Sequence, residues 1–99
     1  MEDRLQASHA RLHARVAGRV QGVNFRYYTA RTAQSLGLTG WVANRPDNTV
    51  EVVAEGPQEA LEELLAFLHH GPPSAYVTDV TPEWLGASGT FADFRVRHL

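Results

Sequence analysis

The chain has 99 residues, 43% of them apolar, with no cysteine and eleven acidic residues against nine basic ones, every one an arginine, for a net charge of -2. That length gives one domain with a modest core and, without cysteine, excludes disulfide frameworks, thiolate metal sites and cysteine nucleophiles. A slightly acidic chain with no basic cluster is unsuited to non-specific nucleic-acid binding, and no run approaches the ~20 apolar residues of a membrane span.

The N-terminal Met1 to Ser8 is polar and lacks an apolar leader segment. A flexible tail over residues 1–10, a single domain over 11–99 and a cytoplasmic location are therefore expected. Leu12, Ala14 and Val16 then alternate with Arg11, His13 and Arg15, the period of a strand with one buried face. His9 and His13 read as solvent-facing. On a strand four residues span ~13 Å, too far to share a metal ion.

Gly18-Arg19-Val20-Gln21-Gly22-Val23-Asn24-Phe25-Arg26 follows, joining that strand to a helix. Backbone amides converging on a helix N-terminus form an anion site, and glycines let the chain curl around a phosphate-sized group. Arg26 sharpens this reading, because a cation in the first turn opposes the helix dipole and a bound anion would remove the conflict. On spacing alone, two glycines four apart are ordinary strand-to-helix chemistry. The stretch matches neither G-x-G-x-x-G nor G-x-x-x-x-G-K-[ST].

Phe25, Tyr28, Thr29, Thr32, Ala33 and Leu36 recur at helical spacing, with Asn24 as N-cap and Gly37 as C′, which predicts a helix of about thirteen residues. Tyr27 and Tyr28 read as core and rim packing. Leu38 to Arg45 and Thr49 to Ala54 predict a hairpin about the turn Asn44-Arg45-Pro46-Asp47-Asn48. Counting by twos puts Asn44 on one face with Leu38, Gly40 and Val42, although starting the turn is its simplest role.

Pro57 to Leu68 is a second helix, with Pro57 at its first position, a stripe of Leu61, Leu64, Leu65 and Leu68, and a stop at Gly71-Pro72-Pro73. Glu59, Glu62 and Glu63 form its solvated face, and His69 and His70 suit its C-terminal end. Tyr76 to Leu85 predicts a strand bulged between Val77 and Val80 and confined by Pro82 to a sheet edge. Phe94 and Val96, alternating with Arg95 and Arg97, make a short last strand. The expected fold is α+β, a ferredoxin-like βαββαβ sandwich with a short additional C-terminal strand and two helices on one face of a mainly antiparallel sheet.

Together the pieces resemble the acylphosphatase family over Arg11 to Val96. The resemblance rests on the loop Gly18 to Arg26 and on Gly40-Trp41-Val42-Ala43-Asn44-Arg45-Pro46-Asp47-Asn48-Thr49-Val50-Glu51, separated by a helix ending Leu36-Gly37-Leu38 and followed by Glu55-Gly56. Asn48 stands where the family commonly has glycine, and Tyr76 where it often has arginine.

The resemblance implies hydrolysis of acyl phosphates to a carboxylate and inorganic phosphate, with no cofactor, metal or phosphoenzyme. Arg26 and the amides of Gln21, Gly22, Val23, Asn24, Phe25 and Arg26 would hold the phosphoryl oxygens, and Asn44 would orient the water. The partners are then a small-molecule acyl phosphate and inorganic phosphate, with no nucleic acid and no membrane, and the protein a monomer. A binding module that keeps the cradle without turnover is the alternative, disfavoured because such a module has no use for a water-positioning amide. A ferredoxin-like RNA-binding domain is weaker still, for want of basic charge and strand-borne aromatics.

Overall fold

Alternation along β1 (His9–Arg19) sends Leu12, Ala14 and Val16 to one face of the sheet and Arg11, His13 and Arg15 to the other. The structure, a computed structural model, describes residues 9–98. Residues 1–8 of the expected tail lie outside the described residues; His9 and Ala10 already belong to β1, opposite Pro57 and Gly56. The chain continues through α1 (Phe25–Ser35), β2 (Thr39–Asn44), β3 (Val50–Pro57), α2 (Gln58–His70), β4 (Tyr76–Gly86) and β5 (Phe94–Arg97). The strands form one sheet in the order β4-β1-β3-β2-β5.

β1 and β2 flank β3, and β3 and β4 flank β1, all through antiparallel pairing. Each helix thus links two parallel strands that have a third strand between them, which is the ferredoxin-like α+β arrangement. β5 adds to the free edge of β2 in parallel, with Gly40 opposite Phe94 and Val42 opposite Val96. On the β1–β4 ladder Thr78 is the extra residue, since Ala17 pairs with Asp79 and Gly18 with Val77. The expected bulge lies there, and β4 with Pro82 is an edge strand.

The core gathers Leu12, Val16, Val42, Val52 and Ala54 from the sheet with Phe25 and Ala33 of α1 and Leu61, Leu64 and Leu68 of α2. α1 is eleven residues long and ends in a Schellman motif, in which the Gly37 amide donates to the Gln34 carbonyl and the Leu38 amide to the Ala33 carbonyl. Tyr28 does not join the core: it and Tyr27 are exposed and meet edge to face at 5.1 Å. α2 starts one residue later than the sequence suggests, leaving Pro57 extended as N-cap, and it keeps His69 and His70 in its last turn.

The other face of the sheet is charged yet partly covered. Glu51 and Glu55 are buried on it. Glu55 accepts from Arg11 Nε at 2.7 Å and from the backbone amides of Ser88 and Gly89, both at 2.9 Å. Burial opposes its charge, but the two amides, Arg11 and the Ser88 hydroxyl outweigh that cost and hold the carboxyl at about 2. The segment between β4 and β5 is pinned across the sheet in this way. His13 is not simply solvated either, since its Nε2 lies 2.6 Å from Glu51, whose other oxygen accepts from Arg45 at 2.8 Å.

Candidate active site

The loop from β1 into α1 takes its shape from two residues in the left-handed region, Gly22 at φ 75° and Asn24 at φ 64°. Alternating left- and right-handed residues turn successive amides toward one side, which is how backbone nests bind anions. Asn24 occupies the N-cap position but is not the expected cap: its backbone is left-handed and its side chain makes no capping bond. The first intrahelical bond runs from the Tyr28 amide to the Asn24 carbonyl at 3.1 Å. The amides before Tyr28 therefore have no helical partner, no side-chain cap occupies them, and no acidic side chain stands in the first turn.

A concavity of about 280 Å³ opens at this helix end, lined by Gly22, Asn24, Phe25, Arg26, Asn44 and Val96 among others. Arg26 enters from the first turn of α1. Asn44, the last residue of β2, enters from the sheet because it lies opposite Val50 and shares the helix-facing side with Val42. The structure thus brings Arg26 and Asn44 to one site from two elements. Asn44 Oδ1 is covered and takes no hydrogen bond among the described residues, a condition that costs about 1–3 kcal/mol and calls for a functional reason.

Two of the predicted loop residues stand behind the cradle. Gln21 turns its amide to the hairpin, donating to the carbonyls of Arg45 at 2.8 Å and Thr49 at 2.9 Å, so it ties the loop to the turn beyond Asn44. Val23 packs against the core, and its carbonyl accepts from Ser74 at 3.4 Å. The hairpin turn is firm: Asn48 is left-handed at φ 72°, and Asp47 accepts from both the amide and the hydroxyl of Thr49. The hydroxyl and amide of Thr49 also hold the Asp47 carboxyl below its ordinary value.

Val20, Tyr27 and Val96 also line the concavity, and His98 contacts Arg26, although the sequence reading assigned none of the four to the site. β5 carries its helix-facing side chains at Phe94 and Val96, opposite Gly40 and Val42, and His98 follows the end of the strand. Arg26 donates to His98 Nδ1 at 3.3 Å. The Phe94–Val96 alternation was visible, but nothing in the sequence said which strand β5 would join. No three histidine, aspartate or glutamate side chains among the described residues gather as a metal site, and no helix among them is long and apolar enough to cross a membrane.

A model of the acylphosphatase family matches residues 12–96. The chain is 49% identical over 87 residues to an acylphosphatase of Salinibacter ruber, covering 88% of this chain and 92% of that one. It is 51% identical over 86 residues to one of Methylococcus capsulatus, covering 87% and 94%. A solved acylphosphatase structure from Coxiella burnetii superposes with a TM-score of 0.88 at 39% identity, over 93% of this chain and 96% of that one.

Proposed function

This chain belongs to the acylphosphatase family and is an enzyme, and from that premise we propose that it hydrolyses acyl phosphates by attack of water on phosphorus. The observation that carries the reading is the meeting of Arg26, Asn44 and the uncapped N-terminus of α1 around one concavity. The Arg26 guanidinium and the amides from Gly22 onward would hold the phosphoryl oxygens, where negative charge spreads in the transition state. Asn44 would hold the attacking water against phosphorus.

The bond between phosphorus and the acyl oxygen breaks with its electron pair leaving on the carboxylate, while the water oxygen bonds to phosphorus. The carboxylate is a good leaving group, so positioning supplies much of the rate. The proton of the water passes to a phosphoryl oxygen of the substrate, because guanidinium and carboxamide groups do not exchange protons near neutrality. Neither a phosphoenzyme nor a metal takes part in this scheme. The protein acts as a cytoplasmic monomer, and size-exclusion chromatography at working concentration checks the monomer.

Hydrolysis in oxygen-18 water tests the central step. Label recovered in inorganic phosphate supports attack at phosphorus; label recovered in the carboxylate means that water attacks the carbonyl, and the assignment of Asn44 then fails.

A further inference from the structure

Val96 lies on the helix-facing side of the sheet, where its register partner Val42 is fully buried and its neighbour Phe94 is 3% exposed, yet it is itself 38% exposed. An apolar side chain is uncovered there because α1 begins only at Phe25, and the space beyond is the active-site concavity. The acyl portion of a bound substrate must occupy the part of this concavity that the phosphoryl group does not.

The polar groups of the site are Arg26, Asn44 and the amides of the α1 N-terminus; of its apolar lining Val20 and Phe25 are buried in the core, which leaves Val96, with Tyr27, as the apolar surface open to an acyl group. Beside it, His98 is engaged with Arg26. Resting on the hydrolytic reading above, we propose that the end of β5 is the acyl-binding wall and that Val96 is a specificity-determining residue favouring acyl groups with an apolar or aromatic body over small or anionic ones. A hydrophobic contact of one or two methyl groups discriminates by about tenfold when fully enclosed, and less at a half-open wall.

The test is kcat/KM for benzoyl, acetyl and succinyl phosphate with the wild type, Val96→Ala and Val96→Thr, each checked for a native circular dichroism spectrum. The expected result is a benzoyl-to-acetyl ratio that falls about threefold to fivefold in both variants. Threonine keeps the branched shape and replaces only a methyl by a hydroxyl, so its agreement with alanine separates contact from packing. Ratios unchanged in both variants, or a wild type that prefers succinyl phosphate, overturn the proposal while leaving hydrolysis intact. A folded wild type that hydrolyses none of the three overturns the hydrolytic reading, and the acyl wall with it.

Discussion

Replacing Glu55 by glutamine removes the charge that pins the β4–β5 segment while keeping its shape. Each tenfold in acidity corresponds to about 1.4 kcal/mol, so a carboxyl moved from 4.5 to about 2 contributes on the order of 3 kcal/mol at neutral pH. Glu55 is 4% exposed, so solvent screens little of this. Because the folded state lowers the pKa, the contribution is complete above about pH 4.5 and is lost as the pH falls through about 2. Domains of this size have roughly 5–15 kcal/mol in total, so Glu55→Gln is expected to be less stable by a sizeable fraction at pH 7. Urea unfolding of both proteins at pH 7, 5 and about 2 measures it. The gap should be near 3 kcal/mol at pH 7 and should narrow toward zero at the lowest pH. A gap below about 1 kcal/mol at pH 7, or one that does not change with pH, refutes the reasoning.

Gln21→Ala removes both bonds from the loop to the hairpin; a stability loss of about 1–2 kcal/mol and a fall in turnover near tenfold are expected, since small misplacements of reacting groups are expensive. Unchanged turnover in the folded variant would show that the tie is dispensable. Gly40 has φ 134°, and a Cβ there would run into the Val53 carbonyl oxygen, whereas one at Gly89, with φ 72°, meets open space. Gly40→Ala should therefore cost more than about 3 kcal/mol and Gly89→Ala about 1, read from urea midpoints; equal costs contradict the packing described. The hydrolysis rate should vary less than about threefold between about pH 5.5 and 8.5 and ignore chelators. A steep bell near the histidine range would transfer the proton step to His98.

The strand alternation of β1 and the leucine stripe of α2 made most of the fold legible, because both periods are imposed by a single buried face. β5 is different: four residues joining an edge in parallel carry no register signal of their own, so Val96 and His98 could not be assigned to the site. Glu51 and Glu55 occupy alternating outward positions on β3, and their burial carries no local signal, because the groups that hold Glu55 come from Ser88 and Gly89, more than thirty residues away. Arg26 was legible because it breaks a local electrostatic rule, and the loop because of its glycines. Asn24 misled, since the residue types that cap helices also tolerate the left-handed backbone, and the loop uses the second property rather than the first. Asn44 carried no local signal beyond its place on the strand; only family resemblance gave it a role.

Steady-state hydrolysis of benzoyl phosphate by the wild type, Arg26→Ala and Asn44→Ala, with folding verified, tests the central claim most directly. An active wild type, a loss of about 10²-fold or more in turnover for each variant, and weakened inhibition by phosphate in Arg26→Ala alone are predicted. A folded wild type that binds phosphate without turnover, or variants that keep full turnover, would contradict the assignment of cradle and water-holding amide.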